Sequence, residues 1–224
     1  MKDYPFSFEQ LNKFSLSKPY ESNLNSVETK LLQELNHHQI NLNFPAIRED
    51  IGQLINFLFK WVRPKRIFEF GSGYGHSSFW YFLNNNFIES VILTEKRDDL
   101  LSVYNSLDWP SDWKNKTTYI QGDAFETFKN VSELDFILID GVKADYLRFL
   151  KESETKINSN GMVLIDNSYW RGSFLDSDLV QSKNSARMIK ELHEYINKSE
   201  FWEAVFLPYE DGVTLLRPIL SQNI

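Results

Sequence analysis

The sequence predicts an α/β domain: a seven-stranded, mostly parallel sheet with one antiparallel strand near its edge and helices on both faces. Three observations lead there. Short apolar runs alternate with segments of helical period from residue 66 to residue 198, at the pitch of parallel strands joined by right-handed crossovers. The first run ends in a glycine-rich turn, Glu69-Phe-Gly71-Ser-Gly73-Tyr-Gly75, that leads straight into a helix-like segment. The last two runs, 201–207 and 213–217, are joined by Pro208-Tyr-Glu-Asp-Gly212, which reads as a tight hairpin-like turn and supplies the antiparallel strand.

Taken in order, residues 1–21 form an irregular arm with Pro5 and Pro19 and little periodicity. The segment 22–64 carries two helices, at 24–39 and at 48–63, the second ending before Pro64. The core, 65–218, has strands near 66–70, 91–94, 117–121, 135–140 and 162–166 before the terminal pair. Helices at 76–84, 97–107, 124–130, 144–156 and 183–198 separate them. The acidic run Asp176-Ser177-Asp178 reads as a solvated mobile loop. Trp80, Trp109, Trp113, Trp202 and His193 read as packing residues. His37 and His38 are neighbours on a helix, about 100° apart, and so poorly placed to share one ion.

At 224 residues and 42% hydrophobic, the chain suits a single domain that buries a sheet between two helix layers. No stretch approaches the 18 or so apolar residues of a membrane span, and the N-terminus lacks signal-peptide design, so a cytoplasmic location is expected. The absence of cysteine excludes disulfides, thiolate nucleophiles and cysteine-based zinc sites. A net charge of −7 favours a small-molecule partner over nucleic acid.

The glycine turn carries chemistry. Gly71, Gly73 and Gly75 let the backbone turn sharply and approach a ligand closely. The spacing is one residue short of the dinucleotide pattern, and Glu69 stands just before it. A carboxylate there would repel a pyrophosphate but suits the ammonium of a methionine moiety, so the loop favours S-adenosylmethionine over NAD. Glu95 lies 24 positions after Gly71, near the offset at which an acid reaches a ribose. Asp123, beside Ala124 at the end of the third strand, suits an adenine amino group. Both acids also suit helix N-caps or first-turn positions.

Two further strands end in acids on the same rim: Asp140 closes one, and Asp166-Asn167 closes the other. Asp140, Asp166 and Asn167 would converge as three hard oxygen donors, a set that favours Mg²⁺, or Mn²⁺ or Ca²⁺, over zinc. Lys143 follows Asp140 by three residues and is a candidate general base. Divalent cation and lysine together suit the deprotonation of a hydroxyl that then attacks a sulfonium methyl.

These residues resemble the cation-dependent class I S-adenosylmethionine O-methyltransferases, the catechol and caffeoyl-CoA O-methyltransferases and their bacterial relatives. The likeness rests on Glu69-Phe-Gly71-Ser-Gly73-Tyr-Gly75-His-Ser77, on Asp140-Gly-Val-Lys143-Ala-Asp-Tyr146, on Asp166-Asn167-Ser-Tyr-Trp170-Arg-Gly172 and on Asp211-Gly212-Val-Thr-Leu. It runs from about residue 46 to residue 218. The resemblance implies a Rossmann-like methyltransferase fold and a homodimer. It implies that Glu69, Ser77, Glu95 and Asp123 hold the cofactor's amino, carboxylate, ribose and adenine groups, with Gly71, Ser72, Gly73, Gly75, Ala124 and Asp140 lining its site. It also implies metal binding by Asp140, Asp166 and Asn167, with Lys143 as base. Departures are Val142 where relatives carry a second acid, His76 where Tyr or Thr is common, and Phe70 for a smaller aliphatic.

The expected acceptor is a catechol-like or phenolic hydroxyl, with Tyr169, Trp170 and Arg171 as its wall; Trp170 alternatively plugs the space beneath the metal loop. One rival is a tRNA hydroxyuridine acceptor, for which Lys183, Arg187 and Lys190 on one helix face are the only hint. Another is a protein that binds the cofactor without turnover, which the intact ligand set opposes.

Overall fold

The computed structural model describes residues 24–209 and 211–220, so the arm at 1–21 lies outside the described residues. Helix α1 (Ser26–Leu42) starts at Asn25, whose side chain accepts from the Val27 and Glu28 amides while Glu28 accepts the Asn25 amide. This reciprocal cap fixes the start of the helix. Helix α2 (Glu49–Val62) opens on two acids at its positive end and closes at Arg63, left-handed at φ 52, directly before Pro64.

Seven strands follow among the described residues: β1 (Arg66–Phe70), β2 (Ser90–Glu95), β3 (Thr117–Gln121), β4 (Leu134–Ile139), β5 (Ile157–Asp166), β6 (Trp202–Leu207) and β7 (Val213–Pro218). They form one sheet in the order β3-β2-β1-β4-β5-β7-β6. Only β7 is reversed, pairing antiparallel with β5 and with β6. Between strands lie α3 (His76–Phe82), α4 (Asp98–Ser106), α5 (Ser111–Lys116), α6 (Ala124–Phe128), α7 (Tyr146–Ser153), α8 (Ser177–Ser182) and α9 (Asn184–Lys198). Two 3₁₀ turns, Lys143–Asp145 and Trp170–Leu175, precede α7 and α8.

Strand alternation divides the core. Ile67, Phe136 and Leu138 join Leu35, Ile55, Phe59, Phe79 and Trp80 on one side of the sheet. Phe68, Phe70, Ile137 and Ile139 join Phe128, Phe149, Ile189 and Leu192 on the other. Both faces are therefore covered, which is why the central strands are largely apolar, with Glu69 the buried exception in β1. Burying each of these side chains contributes roughly 1.5–3 kcal/mol. Trp80, Trp109 and Trp202 are buried in these layers, and Trp113 stacks on Phe82 at 5.4 Å.

Four elements depart from the sequence pattern. The acidic run is not a loop: Asp176 accepts from the Asp178 and Leu179 amides and caps α8. The expected helix at 144–156 is a 3₁₀ turn followed by α7, and it stops at Ser153. Strand β5 starts at Ile157, five residues early, along a polar stretch that meets β4 across a register shift. Short helices such as α5, with no buried residue and a Lys116–Asp112 ion pair, carry no apolar period to reveal them.

Candidate active site

The carboxyl ends of β1 to β5 open on one cleft of about 590 Å³, the size of a site for a nucleoside-bearing ligand. Its wall takes Gly71 from the first turn, Glu95 from β2, Asp123 and Ala124 after β3, and Asp140 and Lys143 after β4. Asn167 and Trp170 complete it from the loop after β5. A small polar recess shares Gly71 and Asp140 with the cleft and adds Ile47, Glu69, Ser72, His76 and Ser77.

The first turn closes this geometry. The Gly71 and Ser72 amides both donate to the Thr94 carbonyl, at 3.1 and 3.0 Å. Gly71 has φ 83, and a Cβ there would stand 2.5 Å from the Asp140 carbonyl oxygen. Only glycine lets the turn lie against the end of β4.

Glu69 points to the face on which α3 lies, and α3 presents Ser77 and Tyr81, one turn apart. Ser77 Oγ donates to Glu69 at 2.6 Å and the Tyr81 hydroxyl at 2.9 Å. Loss of water outweighs these two donors and raises the carboxyl pKa to about 8. Glu95 ties the turn to β2: its carboxylate accepts from the Gly73 amide at 3.1 Å and from the Lys96 and Arg97 amides. Asp123 caps α6 through the Phe125 amide at 2.8 Å. Its other oxygen meets Lys96 Nζ at 3.1 Å, and these contacts hold its pKa low, Lys96 first. Capping and cleft-lining thus coincide in Asp123.

The other half of the cleft gathers charge. Lys143 Nζ, buried, donates to the Tyr146 hydroxyl at 2.5 Å and to Asn167 Oδ1 at 2.9 Å, and lies 3.7 Å from Asp140. The Tyr146 hydroxyl in turn donates to the Asp166 carbonyl at 3.0 Å. Asn167 reaches inward from a left-handed backbone, φ 50, that turns the chain directly after β5. Burial raises the Asp166 carboxyl to about 7, the nearby Asp140 adds to the rise, and Lys143 and Arg48 oppose it. Desolvation likewise raises Asp140 against the pull of Lys143.

Asp140 and the Asn167 amide oxygen, from adjacent strand ends, therefore meet one ammonium, and the buried Asp166 carboxyl, which accepts the Asn167 amide, acts on it electrostatically. That donor set fits a hard divalent cation. Among the described residues no group of three or more His, Cys, Asp or Glu that could hold a metal ion is gathered.

The structure brings most of the predicted residues to one rim, with qualifications: the buried Asp166, and Gly73 and Gly75, line neither the cleft nor the recess. Trp170 lines the cleft, its ring centre 5.7 Å from Lys143 Nζ. Tyr169 instead packs on Gly212, Phe174 and His193, and Arg171 is exposed with its amide on Asp211, so neither lines the cleft. Ser72 and Ser77 line the recess rather than the cleft; Ser72 Oγ accepts the Thr94 amide. Lys183, Arg187 and Lys190 are exposed and line neither space. Sequence reasoning missed Phe44, Pro45 and Ile47, which come from the α1–α2 connection, and Phe149 of α7. Pro45 was the only local signal, since cleft contacts from outside the βαβ units follow no spacing rule.

A glycine turn, strand-end acids and a reversed seventh strand define a class I α/β methyltransferase. A model of the O-methyltransferase family matches residues 21–219, and the chain belongs to that family of S-adenosylmethionine-dependent enzymes. It is 22% identical over 178 residues to the caffeoyl-CoA O-methyltransferase of Stellaria longipes, covering 75% of this chain and 74% of that one. The fold is shared with the SAM-bound O-methyltransferase TomG of Streptomyces achromogenes, at TM-score 0.77 and 18% identity over 95% of this chain and 99% of that one. It is shared also with the SAH-bound methyltransferase PaMTH1 of Podospora anserina, at TM-score 0.74 and 20% identity over 96% and 98%. Among the described residues no helix is long and apolar enough to cross a membrane.

Proposed function

We propose that the protein transfers the methyl group of S-adenosylmethionine to a hydroxyl of a small catechol-like or phenolic acceptor, using a divalent cation, Mg²⁺ in preference to Mn²⁺ or Ca²⁺. The observation that carries this reading is the placing of Asp140 and Asn167 against Lys143 at the cleft wall, with the buried Asp166 carboxyl within electrostatic reach of both charges. When bound, the cation would supply Lewis-acid activation of the acceptor hydroxyl. The chain's residues do the rest. Lys143 Nζ, freed from Asn167 and after passing its own proton to solvent, takes the hydroxyl proton. Tyr146 keeps Nζ placed through its own bond to the Asp166 carbonyl.

In this reading Glu69 neutralises the cofactor's ammonium, Glu95 accepts from the ribose hydroxyls, and Asp123 with Ala124 meets the adenine. Ser77 turns from Glu69 toward the cofactor carboxylate once the ammonium is in place. Trp170 offers its face to a planar ring. Val142, 63% exposed at the cleft wall, presents an apolar edge where an acid would repel a phenolate. Holding oxygen and methyl in line supplies roughly 7–11 kcal/mol of the barrier reduction. The net charge of −7 and the absence of Lys183, Arg187 and Lys190 from the cleft wall favour a small acceptor over tRNA.

The test is transfer of labelled methyl from S-adenosylmethionine to catechol, with Mg²⁺ and again with chelator. Product that disappears with chelator supports the proposal. Product that persists under chelation contradicts the cation's role, and no product despite cofactor binding contradicts the acceptor class.

A further inference from the structure

The recess beside the cleft contains a group that the reaction outlined above does not use. His76, the first residue of α3, is 4% exposed and lines the recess together with Glu69, Ser72 and Ser77. Its Nε2 is engaged at 3.1 Å by Asn36 Oδ1 of α1, and this acceptor assigns the ring proton to Nε2. Nδ1 is then a bare acceptor, fully buried and without a hydrogen-bond partner. A buried acceptor without a partner is a cost that native structures seldom carry unless a ligand or water meets it. The ring is also held neutral, because burial lowers its pKa to about 4, so it brings no positive charge to the recess.

We infer that His76 is a recognition residue for the amino-acid end of the cofactor, with Nδ1 accepting a hydrogen bond from the α-ammonium that Glu69 neutralises. This rests on the S-adenosylmethionine reading of the cleft and deepens it. The chemistry matches: an ammonium has three N–H donors, and a carboxylate with a neutral imidazole nitrogen offers acceptors without repulsion. The Asn36 contact fixes the ring's tautomer, as a partner on one imidazole nitrogen does for the other.

The experiment compares binding of S-adenosylhomocysteine with that of 5′-methylthioadenosine, which lacks the amino-acid end. His76→Gln keeps a group at the Nε2 position and removes the Nδ1 acceptor; His76→Asn does the converse. We expect His76→Gln to weaken S-adenosylhomocysteine about tenfold or more, the scale of a hydrogen bond to a charged group, and to leave 5′-methylthioadenosine within twofold. His76→Asn should retain S-adenosylhomocysteine affinity within about threefold. Equal loss for both ligands in His76→Gln would make the residue structural and overturn the inference, as would no loss for either. Failure of both ligands to bind the unaltered protein would overturn the cofactor reading itself.

Discussion

At the ends of β1, β2 and β3 each acid is met by donors that tie it to the surrounding scaffold, whereas the acids at the ends of β4 and β5 are buried near each other with one lysine beside them. Glu69 has Ser77 and Tyr81, Glu95 has three backbone amides, and Asp123 has the Phe125 amide and Lys96. Asp140 lies 3.7 Å from Lys143, Asp166 accepts the Asn167 amide, and each carboxyl is raised by lost water. The difference teaches what each half lacks. In the proposed reading the half built from β1, β2 and β3 is a finished scaffold whose one unsettled group, the buried Glu69 carboxyl, meets the cofactor's ammonium. The second half holds two buried carboxyls, each raised by lost water, beside one lysine, and that is the arrangement the proposed cation would use.

The largest effect expected is in that second half. Asp166→Asn removes one of the two facing carboxylates but can still accept the Asn167 amide. Methyl transfer should fall on the order of 10³-fold, corresponding to the several kcal/mol a Lewis acid supplies. The metal-free variant should nevertheless melt roughly 3 °C higher, a shift of about 1 kcal/mol in a chain of this size. Lower activity together with a lower Tm would instead make Asp166 a structural residue.

Lys143→Met comes next. Loss of the base should cost about 10²–10⁴-fold in kcat. Because the ammonium occupies Asn167 Oδ1, its removal should also tighten divalent-cation binding, read by titration. Weaker cation binding would break the contrast between a self-satisfied half and a waiting one.

A smaller effect belongs to Glu69. Burial raises its carboxyl from 4.5 to about 8, so the ligand-free protein holds a proton there at neutral pH that the ammonium-bound form gives up. S-adenosylhomocysteine affinity should therefore climb with pH, up to about tenfold per unit, and level off above pH 8. Calorimetry in buffers of different ionisation enthalpy should register proton release. For the same group, ligand-free stability is greatest below pH 4.5 and declines as pH rises toward 8, since the folded state binds the proton more tightly than the unfolded one. Glu69→Gln should abolish both trends.

The smallest is Asp176→Ala, which removes the cap of α8 beside the Trp170 turn. About 1 kcal/mol of stability, or roughly 3 °C in Tm, should be lost. Cofactor affinity should not change; a loss there would show that the α8 segment also supports the cofactor half.

Much of this contrast was legible in the sequence, and the reason is periodicity. Strands β1 and β4 announce themselves because both faces are buried, and β7 because the turn at 208–212 precedes it. Asp140, Asp166 and Asn167 could be placed on one rim because parallel strands align their carboxyl ends. What stayed hidden depends on side-chain direction. Nothing in Tyr169-Trp170-Arg171 reveals that positive φ at Trp170 and Arg171 leaves only the tryptophan on the cleft, with Tyr169 against Gly212. The contributions of Phe44, Pro45 and Ile47 depend on how the α1–α2 connection folds back, a long-range contact without spacing. The Asp176 cap was misread because its six-residue helix has no buried face.

The central claim is that the β4–β5 rim is built to receive a divalent cation, and Mn²⁺ binding followed by electron paramagnetic resonance tests it most directly. The account predicts one bound equivalent in the unaltered protein, lost in Asp166→Asn and strengthened in Lys143→Met. Absence of binding in the unaltered protein, or binding indifferent to Asp166, would contradict it.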